Sequence, residues 1–182
     1  MSHLLDELSE DHKNVARLLK LLGRQLDAVA AADDADIELM IDAMRYMTGY
    51  PDRVHHPKED LMFERLLDRD PDSADIVEHL RGQHEELAEL GQAFLHTVQL
   101  VCDGSMVERE AFEETGRKYV ELLRDHMREE NEIAFPLARD MLTEEDWAYA
   151  SDAFAGARDP IFGGIADQSF KELLEHIDRM DA

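Results

Sequence analysis

Within residues 125–136, DHMREENEIAFP, His126 and Glu130 stand four residues apart in a helical pattern, so one helix face carries an imidazole and a carboxylate together. Residues 54–63, VHHPKEDLMF, repeat the device with His55 and Glu59. Two further histidines, His12 and His84, fall on the apolar stripes of two other predicted helices. Imidazole nitrogen and carboxylate oxygen together suit iron, zinc or manganese. These six residues read as the ligands of one buried metal site. The spacing by itself says little, because 43 of the 182 residues are acidic and a histidine often finds an acid four positions on by chance. His3 and Glu7 share it at the start of the chain and read as coincidence.

The elements that must position these side chains follow from the apolar periodicity. Leu5, Leu8, His12, Val15, Leu19, Leu22, Leu26 and Val29 step by three and four along one helix, with His12 in a core position. Residues 30–36 read as a turn. A second helix carries Ile37, Ile41, Met44, Thr48, Pro51, His55, Glu59, Met62 and Leu66, kinked by Gly49 and Pro51 and disturbed again by Pro57. After the turn at Asp70, Pro71 and Asp72, a third helix runs through Val77, Leu80, His84, Leu87, Gly91, Phe94, Val98 and Val101. Asp103 and Gly104 end it, Ser105 is the expected cap of a fourth, and the fourth stripe is Phe112, Gly116, Tyr119, Leu123, His126, Glu130, Ile133 and Leu137. An all-α fold follows: an up-down-up-down antiparallel four-helix bundle over residues 1–141, with a short helical C-terminal extension, 142–182, expected to pack on the bundle end where the first helix begins. A capping-box pattern at Thr143 and Asp146 opens the extension.

Register strengthens the metal reading. Measured from one shared end of such a bundle, His12, His55, Glu59, His84, His126 and Glu130 all lie roughly 14 to 22 Å along their helices at 1.5 Å per residue. Four unrelated core histidines have no reason to share a layer. Two buried carboxylates without countercharge cost several kcal/mol each, and neither stripe supplies a Lys or Arg to pair with them, whereas a cation between the helices removes the cost. A lone core histidine is more often a hydrogen-bonded packing residue; the argument rests on the set. His56 points about 100° away from His55 on a regular helix, so His55 is the expected ligand and His56 with Asp60 the alternative pair. His79, His96 and His176 lie off the stripes and read as surface or supporting residues. Tyr119 reads as core packing.

Composition excludes other classes. Asp and Glu outnumber Lys and Arg by 43 to 19, a net charge of -24, which argues against nucleic acid and anionic membrane surfaces as partners. Residues 1–13, MSHLLDELSEDHK, lack a basic start followed by an apolar block, and no run approaches a membrane span. A cytoplasmic location is expected. Cys102 is the single cysteine, so thiolate clusters and internal disulfides are ruled out and any metal is held by nitrogen and oxygen.

A histidine on each of four helices, with H-x-x-x-E on the second and fourth, resembles the hemerythrin-like, or HHE cation-binding, family. HKN at His12, HHPKED at His55, GQHEEL at His84 and HMREENEIAFP at His126 carry the resemblance, which spans about residues 1 to 141. It implies a centre of two non-haem irons, with Glu59 and Glu130 bridging and two histidines on each iron. Oxygen-carrying members have a further histidine one turn after the one on helix three; Ala88 stands there in this chain. With four histidines instead of five, one iron is expected to keep an open position, which argues against simple reversible oxygen carriage.

The leading expectation is a protein with two non-haem iron ions that binds a small ligand (O2, NO or peroxide) as sensor, scavenger or store. Ligand type alone also admits Zn or Mn. The second class is a ferritin-like redox enzyme, but such bundles use Glu-x-x-His pairs and no histidine of this chain has a glutamate three residues before it. The third is a helical interaction module with a structural metal or none. Loss of function on replacing His126 and Glu130 by Leu and Gln separates the iron readings from the third.

Overall fold

The computed structural model describes residues 3–181, and these contain helices and no strand. Helix α1 spans His3–Ala31, α2 Ile37–Met47, α3 His56–Arg69, α4 Ala74–Cys102, α5 Arg109–Glu129, α6 Phe135–Met141, α7 Glu144–Asp152 and α8 Lys171–Asp181. Helix α1 packs on α2 and α5, and α4 packs on α2, α3 and α5. The long helices thus lie side by side as a helical bundle.

Local chemistry explains where the chain turns. Ala32 takes φ 58° past the end of α1, and Asp36 caps α2 by accepting from the Leu39 amide at 2.9 Å. The second predicted helix is divided. Regular α-helix stops at Met47, Pro51–His55 form a π-helical turn, and α3 starts at His56. Pro51 and Pro57 each fall in the first turn of their segment, and because the backbone just before Pro57 is itself helical, the amide hydrogen it lacks interrupts the regular ladder where the wider π-helical turn falls. The fourth predicted helix is divided in the same way, with a π-helical turn over Glu130–Ala134 and Pro136 in the first turn of α6. Ser105 does not cap α5. That helix starts at Arg109 after Glu108 in extended conformation, because Gly104 at φ 78° returns the Ser105 amide to the carbonyl of Leu100 at 2.9 Å and closes α4 instead.

The apolar core comes in two blocks. Leu4, Leu5 and Leu8 of α1 meet Met62, Phe63 and Leu66 of α3, Val77 and Leu80 of α4, and Ala134, Phe135 and Ala138. A larger block joins α1 from Val15 to Leu26, α2, α4 from Leu87 to Val98 and α5 from Phe112 to Met127. Between them along each rod of the bundle the sequence changes from apolar to His and Glu: residue 12 lies between Leu8 and Val15, 55, 56 and 59 between Tyr50 and Met62, 84 between Leu80 and Leu87, 126 and 130 between Leu123 and Ala134. The polar layer has a lid of hydrocarbon above and below.

The extension behaves in two parts. Helix α7 opens with the expected capping box, Thr143 with Asp146, and packs on α3 and the start of α1, where Ala150 joins the smaller core block. Helix α8 does not cover that end. It lies along the flank of α1 and α2, with Leu173 and Ile177 buried in the larger block, Arg17 bonded to Asp178 and Asp181, and the preceding loop pinned by Tyr46 Oη donating to Asp159 Oδ2 at 2.7 Å. The loop of residues 153–170 is long enough to carry the chain from the end of the bundle to its side, which helical periodicity could not reveal.

Candidate metal centre

Six predicted site residues come together. Glu59 and Glu130 are fully buried at the middle of the layer. His55 Nε2 lies 3.1 Å from Glu59 Oε1, and His126 Nε2 lies 3.1 Å from Glu130 Oε2. His12 Nε2 reaches both carboxylates, at 3.4 Å from Glu59 and 3.3 Å from Glu130. His84 Nε2 also reaches both, at 3.5 and 3.6 Å.

His56 is the residue that periodicity misplaced. It is buried, stacks on His84 with ring centroids 4.5 Å apart, and meets His126 edge-on at 5.6 Å. The number of histidines around the two glutamates is therefore five, not four, and the count no longer weighs against simple reversible oxygen carriage. The cause is the π-helical turn ending at His55: the wider turn places His55 and His56 on either side of the inward direction, so that neighbours in sequence flank Glu59. Asp60, considered as a partner of His56, serves His84 instead. Ligand-capable atoms cluster in two groups, each within 4.8 Å: His56, Glu59, His84 and His126 in one, His12, His55 and Glu59 in the other. Glu59 belongs to both, and Glu130 touches His12 on one side and His84 and His126 on the other.

Every one of the five rings is held through Nδ1, leaving Nε2 for the centre. Four of the holding groups follow one rule that sequence reasoning missed. Each is the chain neighbour of a site residue on an adjacent helix. Asp11, beside His12, accepts from His55 at 3.0 Å; Asp60, beside Glu59, accepts from His84 at 3.1 Å; Gln83, beside His84, accepts from His126 at 2.9 Å; Asn131, beside Glu130, accepts from His12 at 3.2 Å. The contacts pass round the bundle from helix to helix. The fifth, Asp52, sits 3.5 Å from His56 Nδ1 one turn back, and its i to i+4 spacing was the one readable signal. Such partners fix the tautomer and aim a ligating imidazole. His79 lies outside the layer, exposed and 2.8 Å from Glu129. His96 is exposed, and Tyr119 is buried in the larger core block, with its ring close to Gly91.

The electrostatics separate the histidines. Burial opposes charge on His12, but the carboxylates of Glu130 and Glu59, 3.3 and 3.4 Å from its Nε2, outweigh it and raise its pKa to about 10. Burial likewise opposes charge on His55 and His84, yet Glu59 and Asp11 lift His55 to about 9, and Asp60, Glu130 and Glu59 lift His84 to about 11. For His126 burial wins and its pKa falls to about 3; His56 is lowered for the same reason. Burial pushes Glu59 and Glu130 up, but the surrounding imidazoles pull Glu59 well below the usual carboxylate range and Glu130 to about 2.

What these side chains leave unsatisfied fits a metal. His12 Nε2, His84 Nε2, His126 Nε2 and all four carboxylate oxygens of Glu59 and Glu130 are buried without a hydrogen-bond partner. Native interiors rarely strand polar atoms, and seven facing one another fit a cation with nitrogen and oxygen ligands.

Among the described residues no helix is long and apolar enough to cross a membrane. No curated protein and no solved structure matches the chain. Residues 3–138 match the family model described as the hemerythrin HHE cation binding domain, and with three quarters of its length inside that match the chain belongs to the hemerythrin HHE family.

Proposed function

We propose that this chain is a non-haem di-iron protein that binds a small ligand, O2, NO or peroxide, as sensor, scavenger or store. In this reading His56, His84 and His126 would hold one iron and His12 and His55 the other, with Glu59 and Glu130 supplying the carboxylate oxygens between the two groups. The observation that carries it is the convergence of seven unpartnered buried nitrogen and oxygen atoms on one layer. The framework is taken as an up-down-up-down antiparallel four-helix bundle; in support, the start of α1, the end of α3, the start of α4 and α6 share one apolar block. A cytoplasmic setting accords with the single cysteine and the net charge of -24.

When bound, the irons supply one-electron redox chemistry and a Lewis-acidic position for the small ligand. The protein does the rest. The five Nδ1 contacts hold the imidazoles in one orientation, and the two glutamates supply negative charge that a pair of cations neutralises. Leu8, Leu80, Phe63 and Phe135 on one side, and Val15, Leu87 and Leu123 on the other, keep bulk water from the layer. The His12 and His55 half offers two histidines against three in the other half, so a metal held there would be the one with room for an exogenous ligand.

Aerobic purification followed by elemental analysis and an optical spectrum, before and after adding NO or hydrogen peroxide, tests the proposal. About two irons per chain with a near-ultraviolet charge-transfer band that responds to either reagent is expected. Stoichiometric zinc or manganese in an unresponsive protein refutes the iron assignment, and no metal at all refutes the centre.

A further inference from the structure

Two tyrosines stand between the metal layer and the loop that precedes α8. Tyr46 in α2 and Tyr50, four residues on, are both buried and stack with ring centroids 6.0 Å apart and planes inclined by 26°. Each phenol donates to a carboxylate: Tyr46 Oη to Asp159 Oδ2 at 2.7 Å, and Tyr50 Oη to Asp11 Oδ2 at 3.2 Å. The same Asp11 oxygen accepts from His55 Nδ1 at 3.0 Å. A continuous file of hydrogen bonds and one ring stack therefore runs from His55 through Asp11 and Tyr50 to Tyr46.

Asp159 is more than packing at the far end of that file requires. It is buried, its Oδ1 accepts from the amides of Ile161 and Phe162 at 2.7 and 2.8 Å, its Oδ2 accepts from Tyr46, and no Lys or Arg side chain pairs with it among the described residues. An asparagine could meet the two amides with its carbonyl and the phenol oxygen with its NH2, without burying a charge. The carboxylate adds one capacity that asparagine lacks, the uptake of a proton. Burial pushes Asp159 up, towards the form that holds one, and burial with the charge of Asp159 pushes Tyr46 up, so the phenol keeps its proton until an electron leaves. An oxidised phenol is strongly acidic, and a buried one needs a base in contact. Tyr119, also buried, has no carboxylate bonded to its phenol among the described residues, and Tyr149 is exposed beneath Arg65.

We propose that Tyr46 is a redox-active tyrosine with Asp159 as its proton acceptor, and that it feeds electrons by way of Tyr50 to the side of the metal layer held by His55. The poised phenol stands on its own contacts; the identity of its oxidant rests on the di-iron reading. Tyr46 gives up one electron and one proton. The O–H bond breaks, the proton crosses to Asp159, which becomes a neutral acid, and the electron passes through the Tyr50 ring towards the centre. Hydrogen peroxide is the oxidant: two such electrons and two protons from solvent break its O–O bond and yield two waters. After each, a one-electron donor of the ascorbate class returns an electron to the Tyr46 ring and Asp159 gives the proton back, so each peroxide consumed leaves two oxidised donor radicals.

The test uses the full chain in two arms. In the metal-free protein, with Trp147→Phe and Tyr149→Phe removing the competing rings nearer the surface, flash-generated ruthenium(III) tris-bipyridine is expected to raise the tyrosyl absorbance band. Tyr46→Phe should lower its yield about tenfold, Asp159→Asn, which keeps a partner for the phenol but no base, should slow its formation about a hundredfold, and Tyr119→Phe should change neither. In the iron-loaded protein, hydrogen peroxide should give a tyrosyl signal in freeze-quenched electron paramagnetic resonance spectra that ascorbate discharges, with the same dependence on Tyr46 and Asp159 at unchanged iron content. A band of full size in Tyr46→Phe, one formed as fast in Asp159→Asn, or none in the parent overturns the redox tyrosine. A radical in the first arm with none on adding peroxide to the iron-loaded protein overturns peroxide as its oxidant. A chain that takes up no iron defeats the di-iron reading, and the first arm then decides Tyr46 by itself.

Discussion

The contact between Gln83 and His126 offers the sharpest test of how the site is built. Gln83 Oε1 accepts from His126 Nδ1 at 2.9 Å, and both side chains are buried. His126 is neutral, its pKa held to about 3 by burial, so the ring carries one proton and Gln83 decides which nitrogen keeps it. Replacing Gln83 by Leu conserves volume and removes the acceptor. An unsatisfied buried donor ordinarily costs about 1–3 kcal/mol. Here the proton has another place to go, because Glu130 Oε2 lies 3.1 Å from Nε2. The tautomer switches, and the metal-free Gln83→Leu protein should lose under about 1 kcal/mol of stability. Metal binding then has to reverse the tautomer against a lost acceptor, which corresponds to the 10–100-fold loss of affinity typical of such supporting contacts, about 1.4–2.7 kcal/mol. Chelator competition measures the affinity and urea denaturation of the metal-free protein measures the stability. A purely structural glutamine gives the opposite pair of results, an unchanged affinity with a loss of 1–3 kcal/mol in the melt, and that outcome would refute the reasoning.

Metal uptake should be proton-linked, since His12, His55 and His84, at about 10, 9 and 11, hold protons at neutral pH that ligation must displace. Up to about three protons per chain should appear in a weakly buffered indicator assay, and affinity should rise with pH from 7 towards 9; release of none contradicts the assigned ring charges. For the metal-free protein the sign runs the other way: raised pKa values stabilise fully below about 6.5, and this contribution is lost as pH rises through 9 to 11. Gly116→Ala should destabilise by about 1–2 kcal/mol despite the better helix propensity, because the new Cβ would stand 2.6 Å from Leu26 Cδ2 and 2.7 Å from Phe94 Cζ, both fully buried. Gly23→Ala, with nothing within 4 Å, should stabilise by up to about 1 kcal/mol, and thermal melts of the pair read the contrast. Truncation after Leu142 should reduce amide-exchange protection along α2 and the middle of α1 as well as at the start of α1, since Leu173, Ile177 and Asp159 pack or bond there; protection lost only at the bundle end would contradict the flank position of α8.

The all-helical character, the polar layer and the roles of Leu8, Val15, Leu80 and Leu87 as its walls were legible in the sequence, because a step of three and four fixes which residues share a helix face, and helix rise fixes their height. What periodicity could not supply was any departure from 3.6 residues per turn. The π-helical turns at Pro51–His55 and Glu130–Ala134 are such departures, and the first of them brought His56 inward where a regular helix would have turned it aside. Contacts between helices were equally hidden. Asp11, Asp60, Gln83 and Asn131 sit next to site residues in the chain yet serve histidines on other helices, and only the rotation of each rod about its axis decides that pairing. The course of α8 was settled by shape, since an amphipathic helix after a long loop can bury its stripe against any apolar groove within reach, and the groove of α1 and α2 exists only once the bundle has formed.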